Sequence, residues 1–488
     1  MSHLEKRVAS GEHSDELAED LRRHRAILSP IRELPAELVC TLLGLTLPVD
    51  DDPDGLRVPW RLGHVCRRWR QAALSYPALW SCIVVRAVAS SLPERDFAPL
   101  HEQLLRAHAG PLSMTFLATL AEDNRFDPNT LSLLLPTSAR WALLRFTGFR
   151  DRPKFPRNFW NDVNRALPRL TTLECMRSSE LHLDLGSFFL DAQIPQLRVA
   201  KLYDTGFDDV SPPIQLPMNN ITHYRGAYEA ELHLDDARHL QVCVLGFHAP
   251  DAELAIDRTR VLLPCLTALY IEGVEFLDWL ETPLLDHLSI FCDSDFLPRW
   301  DVSTILLFLR RPEYAHCLRS LALLSGNLTF ASDGLRELLQ ELPRLEHLTL
   351  ALAPEEQRTT TIITQLLNTN SSLAAQDSQG SGDATPLCPH LTSFKYGAAG
   401  RAEGDESHAE YLDLLLQLAQ SRARRRLQQE PTLTDPAFVL YMYVAYSSEP
   451  FVVPRLWPTR EQLAEEGLEL VVMAGTDSRV QAEFWGDF

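Results

Sequence analysis

The chain has 488 residues, with 46 Lys and Arg against 66 Asp and Glu, for a formal charge of −20. Such a charge repels phosphate backbones and anionic lipid, which argues against nucleic-acid and membrane-surface binding. Hydrophobic residues at 45% and charged residues at 23% are those of a folded chain, and the length demands several domains or one extended repeat array.

Nine cysteines, Cys40, Cys66, Cys82, Cys175, Cys243, Cys265, Cys292, Cys317 and Cys388, lie far apart with no CxxC pair. That spacing speaks against a zinc ribbon or a disulfide framework and for reduced thiols used as small apolar core residues. The stretch Met1–Asp20 is charged throughout and lacks the apolar core of a secretory signal. No run reaches the ~18 apolar residues of a membrane helix. The sequence therefore predicts a cytoplasmic and/or nuclear protein with no membrane span.

In chain order, Ser14–Leu28 predicts an amphipathic helix, with Leu17, Leu21, His24 and Leu28 on one face, so residues 1–29 form a first segment. A second helix starts at Leu34-Pro35-Ala36-Glu37-Leu38, with Pro35 at the first helical position. Leu38, Val39, Leu42 and Leu43 make its apolar stripe, and Gly44 is its expected stop. After an acidic loop, Val49–Gly55, a third helix is predicted from about Pro59 to Leu74. Its Leu62, Val65, Cys66, Trp69 and Ala73 share one side, while Arg61, Arg67, Arg68 and Arg70 point elsewhere. Pro77 ends it, Leu79-Trp80 follows, and Cys82–Val85 predicts a strand.

Beyond residue 86 a loose unit recurs, apolar-x-x-apolar-x-apolar, often with Pro two residues ahead. Examples are Trp141-x-x-Leu144-x-Phe146, Leu170-x-x-Leu173-x-Cys175, Leu240-x-x-Cys243-x-Leu245, Leu266-x-x-Leu269-x-Ile271, Leu345-x-x-Leu348-x-Leu350 and Leu391-x-x-Phe394-x-Tyr396. Start-to-start gaps are 29, 27, 43, 26, 19, 33, 27 and 46 residues, and a degenerate copy at Ile221-x-x-Tyr224 splits the longest but one. Alternation makes a short strand with one face inward; Val302–Leu309 and Gly334–Leu342 have the leucine spacing of helical returns. Strand-plus-return units of this length resemble leucine-rich repeats, whose neighbours stack because no unit buries its apolar face alone. The Ser/Gly/Gln-rich stretch Ser371–Asp383 predicts a low-complexity loop over about 371–388. Tyr411–Leu427 predicts a helix, and Phe438–Val444 and Leu468–Met473 predict strands.

Residues 30–85 resemble an F-box, the helical module that docks on the Skp-type adaptor of SCF (cullin–RING) ubiquitin ligases. The residues that carry the resemblance are Leu34-Pro35-x-Glu37-Leu38, Leu42-Leu43, Leu62-x-x-Val65-Cys66-x-x-Trp69 and Leu79-Trp80. With the repeats that follow, the chain resembles F-box-like proteins of fungal type. A module of about 50 residues cannot close a full core alone, and apolar anchors at a helix start suit a partner's groove. The fold expected is α/β: an all-α F-box helical module over 30–85, then an irregular LRR-like α/β solenoid over 86–488. The resemblance implies adaptor contacts at Leu34, Pro35, Leu38, Val39, Leu42, Leu62, Val65, Cys66, Trp69, Leu79 and Trp80. It also implies a non-enzymatic substrate-receptor subunit whose repeat region holds a protein substrate. The alternative is an interaction scaffold uncoupled from ubiquitination.

Motifs for chemistry are weak. Asp50-x-Asp52-x-Asp54-Gly55 starts like a calcium loop, but its twelfth position is Arg61 and Pro53 interrupts it. HExxH, GxSxG, GxGxxG and GxxxxGK[ST] do not occur. His182-Leu183-Asp184 and His233-Leu234-Asp235 would, on a strand, merely share a sheet face. Arg422, Arg424, Arg425 and Arg426 read as charges favoured at a helix C-terminus. Neither a metal nor a cofactor is expected. The strand residues between the anchors, Tyr270, His287, Ser289, His347, Thr349 and Lys395, face the side away from the returns and form no uniform stripe.

Overall fold

The computed structural model describes residues 34–45, 63–89, 98–117, 124–147, 155, 159–163, 167–176, 189, 193–202, 214–227, 234–246, 260–292, 300–311, 317–325, 328–329, 334–352, 387–398, 407–429, 437–444, 458 and 460–474. The helix expected over Ser14–Leu28, the acidic loop, and the low-complexity stretch up to residue 386 lie outside them. The fold is mixed α/β; its longer strands pair parallel, while the two-residue strands Val88–Ala89 and Asn124–Arg125 pair antiparallel. Two compact units divide the chain, Met1–Leu197 with Asp204–Ile214, and Arg198–Tyr203 with Gln215–Phe488.

In the first unit, α1 (Ala36–Leu45) and α2 (Arg67–Ser75) pack together, and a 3-10 turn, Pro77–Trp80, leads into β1 (Cys82–Arg86). Then come α3 (Ala98–Arg106), β2 (Leu112–Leu117), α4 (Pro128–Leu134), β3 (Trp141–Thr147), α5 (Phe159–Asp162) and β4 (Thr172–Met176). Strands β1 to β4 pair parallel in sequence order. The boundary expected between 85 and 86 falls inside β1, because that strand is the first of the sheet.

Two expected helix limits are corrected. Helix α1 runs through Gly44 to Leu45; a Cβ at 44 would come within 3.3 Å of the Tyr76 hydroxyl, so the glycine admits a close neighbour rather than ending the helix. Helix α2 starts at Arg67, not near Pro59. Cys66 is extended (φ −161°, ψ 171°) and its Sγ accepts the Trp69 N–H at 3.5 Å, as an N-cap does. Just before it, the Gly63 carbonyl accepts Arg70 Nε at 2.8 Å, so this backbone serves a turn.

The core of the first unit is aromatic. The Phe116 ring stacks on Phe146 at 5.5 Å and meets Phe126 and Phe155 edge-on at 5.4 Å. Trp141, Phe159 and Trp160 close around it at 6.2 to 6.4 Å, in the edge-to-face geometry that the ring quadrupoles favour. Across the other sheet face, Arg145 on β3 and its register partner Glu174 on β4 form an ion pair, with Nε and Nη2 each 2.6 Å from Oε2.

The second unit carries β5 (Val199–Leu202), β6 (His223–Ala227), β7 (Val242–Gly246), β8 (Ala268–Glu272), β9 (His287–Cys292), β10 (Ser320–Ser325), β11 (His347–Leu352), β12 (Ser393–Ala398), β13 (Phe438–Val444) and β14 (Leu468–Ala474). Each pairs parallel with the next. The returns are 3-10 turns early on and later α6 (Val302–Leu309), α7 (Gly334–Gln340), α8 (Ser407–Gln429) and α9 (Arg460–Glu465).

The repeat anchors line up. Cys243, Leu269, Leu288, Leu321, Leu348 and Phe394 form one register row and are at most 1% exposed. The recurring Pro has a local cause: the Leu266, Leu345 and Leu391 N–H groups each close a turn onto the carbonyl three residues back, at 3.1 to 3.2 Å. In each, Pro stands at the second turn position, where its fixed φ fits and no N–H is required. A second marker follows each turn. The Thr222, Thr267 and Thr392 hydroxyls donate to the previous unit's carbonyl, at Arg198, Gln241 and Glu346, all at 3.1 Å, beside the backbone N–H of the same residue.

The degenerate copy also has a cause. A Cβ at Gly226, where an anchor is due, would sit 2.6 Å from the Tyr224 hydroxyl and 3.3 Å from Leu202 Cβ. The Tyr224 ring occupies the space of two smaller anchors. At the far end, Gly467 caps α9 with φ +72°, its N–H on the Ala464 carbonyl at 2.9 Å, and a Cβ there would lie 2.8 Å from Leu427 Cδ1. Gly467→Ala is expected to cost about 2 kcal/mol, from left-handed strain and overpacking together. A chemical-denaturation midpoint equal to wild type would refute this.

Arg422 on α8 is 3% exposed, and its guanidinium donates to the Leu387 and Cys388 carbonyls at 2.7 and 2.9 Å. Arg424 pairs with Glu466 at 2.9 Å, and Arg426 donates to the Ala437 carbonyl at 3.2 Å. These three arginines of the basic cluster therefore tie the helix to its neighbours.

Candidate functional site

The residues singled out for partner contact divide in two when placed on the first unit. Val39, Leu79 and Trp80 are 0 to 1% exposed, and with Leu43, Ala72 and Ala73 they form the inner contact of α1, α2 and the 3-10 turn. Their side chains pack within the chain. Trp80 Nε1–H donates to the Ala73 carbonyl at 2.7 Å, and the Arg106 guanidinium of α3 lies 4.4 Å over its ring. Gln103 Nε2 of the same helix donates to the Cys82 carbonyl at 2.7 Å. Sequence periodicity missed this support because Gln103 and Arg106 lie in a separate element.

The other residues form an outer set. Leu38 is 50% and Val65 61% exposed, Leu42 and Pro35 are also exposed, and Leu34, Cys66 and Trp69 are half-buried. Leu62 lies outside the described residues. Helix α1 thus has two apolar stripes, Val39–Leu43 inward and Leu38–Leu42 outward. Each such exposed leucine leaves apolar area in contact with water, at a cost that a partner's groove would relieve.

A second cluster lies on the sheet of the second unit, on the face opposite the anchors. Tyr270, Ser289, Ala322, Thr349, Lys395 and Tyr441 follow one another in register across β8 to β13. His287, Ser320, His347 and Ser393 form the row beside them. The His287 ring packs on Tyr270 at 4.8 Å, and Lys395 Nζ lies 5.1 Å over the Tyr441 ring. Ser289 is fully buried; neither its Oγ nor His287 Nε2 has a hydrogen-bond partner. Burial pushes the His287 imidazole down to about 4; Asp286 opposes this, while His347 and Lys395 add to it. The ring is therefore neutral at pH 7. Burial also lowers the Lys395 ammonium from its usual value.

For catalysis the cluster lacks a join. His287 and Ser289 share a face but are not bonded to each other, whereas an activated hydroxyl sits within hydrogen-bond reach of its base. Of the His-x-Asp pairs, His182, Asp184 and His233 lie outside the described residues, and Asp235 sits in a 3-10 turn, Leu234–Asp236, rather than on a strand. Burial pushes the Cys243 and Cys388 thiols up to about 12 and raises Cys175 as well, so these are protonated packing groups. Among the described residues no group of three His, Cys, Asp or Glu side chains is placed to hold a metal ion, and no helix is long and apolar enough to cross a membrane. No family model matches the chain, and no curated protein matches it.

Proposed function

We propose that the chain is a substrate-receptor subunit of an SCF-type ubiquitin ligase. In this reading residues 30–85 act as an F-box on a Skp-type adaptor, and the parallel-sheet units act as an irregular leucine-rich-repeat-like solenoid that holds a protein substrate. The observation that carries the reading is the outward stripe of Pro35, Leu38, Leu42 and Val65, standing on an inner platform of Val39, Leu43, Leu79 and Trp80. Rigid apolar anchors on a packed base suit docking of a helix in a groove. The in-register anchor rows and Pro-turn-Thr units support the repeat reading. The chain would do no ubiquitin chemistry itself; it would supply proximity between a substrate and a loaded carrier enzyme. Work in the cytoplasm and/or nucleus accords with this role.

The test is co-purification of the full chain with a Skp-type adaptor, wild type beside a Leu38→Asp/Leu42→Asp double variant. The variant is expected to bind at least about a hundredfold more weakly, from lost apolar burial plus desolvation of two carboxylates, with an unchanged melting temperature. A folded wild type that ignores the adaptor would remove the reading. Adaptor binding without adaptor-dependent turnover of any bound protein would make the chain a scaffold.

A further inference from the structure

We propose that the adaptor surface that receives α2 carries carboxylates along its rim and draws this chain in by charge, an inference that rests on the receptor reading above and gives its partner a chemistry. Charge points there first. The protein carries −20 overall, yet residues 34–45 and 63–80 hold Arg67, Arg68, Arg70 and His64 against a single carboxylate, Glu37. His64, Val65, Arg67 and Arg70 are all exposed. The Arg67 guanidinium is bonded to no group among the described residues, and that of Arg70 donates only to the neutral Gly63 carbonyl, at 2.8 Å. Two unneutralised cations on an acidic molecule select a partner of negative charge and steer it to one place.

Folding gives no reason for these cations. A helix start carries a partial positive charge, so a carboxylate there stabilises the helix and an arginine opposes it. Helix α1 keeps to this rule, with Glu37 in its first turn; α2 begins Arg67-Arg68 and has no acidic residue in its first turn. Solubility gives no reason either. Carboxylates outnumber cations over the whole chain, and at the start of α2 they would serve solubility and the helix together. Arginine is the better residue here only for an anion that meets it from outside.

The cations lie where a partner would cover apolar surface. Val65, 61% exposed, stands two residues before Arg67, so at most about 7 Å separates their backbones. At about 100° per residue Arg67, Arg70 and Leu74 fall within about 60° of one another, turned away from the buried Ala72 and Ala73, and Leu74 is 40% exposed. A protein surface that buries Val65 and Leu74 therefore brings its edge against both guanidiniums. Their planar forks suit carboxylates, which they bind with two N–H groups at once.

The test is stopped-flow association of the full-length chain with a fluorescein-labelled Skp-type adaptor, wild type beside Arg67→Glu/Arg70→Glu. The wild-type association rate is expected to fall at least about tenfold between roughly 20 mM and 500 mM salt, with dissociation changed less than about twofold. The double variant should associate at least about tenfold more slowly at low salt, and the gap should narrow at high salt. Its melting temperature should be unchanged or higher, since carboxylates suit the helix start. Arginines kept for the fold alone would give the reverse, a lower melting temperature with an unchanged association rate. A folded double variant that associates as fast as wild type at low salt, or a wild-type rate that ignores salt, overturns the inference and leaves the receptor reading standing. A wild type that binds the adaptor at no salt concentration overturns the receptor reading and the inference with it.

Discussion

Trp80→Ala is expected to destabilise the N-terminal unit by about 3–5 kcal/mol, the usual cost of emptying a buried tryptophan site. The indole is 1% exposed, its N–H satisfies the Ala73 carbonyl at 2.7 Å, and the Arg106 guanidinium lies 4.4 Å over its ring. Truncation therefore opens a cavity between α1, α2 and α3, takes the shorter of two hydrogen bonds from the Ala73 carbonyl, which keeps only the Tyr76 N–H at 3.4 Å, and removes a cation–π contact. For a unit of roughly 200 residues this amounts to a fall in melting temperature on the order of 10 °C. Thermal circular dichroism reads it, and adaptor binding should be lost along with the fold. The contrast with Leu38→Asp/Leu42→Asp, which should lose binding with no change in melting, separates platform from contact face. A Trp80→Ala protein that melts like wild type would abolish that division.

Arg145→Met is expected to cost about 2–3 kcal/mol, because it takes the charged donor away from the largely buried Glu174 carboxylate. Glu174 is 6% exposed, and the Arg145 guanidinium reaches its Oε2 with two N–H groups at 2.6 Å. Two charges taken out of water hold each other, so removing one is far more damaging than removing both. The double variant Arg145→Met/Glu174→Leu should recover most of the loss. Urea unfolding of the two singles and the double completes a cycle whose coupling should exceed about 2 kcal/mol. Additive effects would show that the pair is a surface contact of little weight.

The repeat anchors were legible because alternation is a local property: Leu269 and Ile271, or Leu348 and Leu350, share a face whatever surrounds them. The Pro before each anchor was legible for the same reason, and the helices at Val302–Leu309 and Gly334–Gln340 fall where their leucine spacing placed them. The start of α2 was not legible. A 3.6-residue count admits Leu62 and Val65 to the stripe without registering that Gly63 serves a turn and that Cys66, whose thiol is a weak acceptor, caps the helix. Gly44 failed the same way, since its reason is the Tyr76 ring from another element. The Thr at 222, 267 and 392 was a readable signal in the Leu-Thr and Ile-Thr pairs. It was passed over because its partner carbonyl lies one unit back.

By itself the sequence determined the strands from Trp141 onward, though not β2 (Leu112–Leu117), the turns between them and the apolar character of α1, because each depends on neighbours within a few residues. Which stripe of α1 faces inward was decided only when Tyr76, Leu79 and Trp80 folded back against it. The burial of Ser289 and Arg422 was likewise decided only by tertiary structure, although both residue types are ordinarily exposed. Burial is a sum over contacts from distant parts of the chain, and it alone turned a serine hydroxyl into an unpartnered donor and a basic cluster into a structural tie.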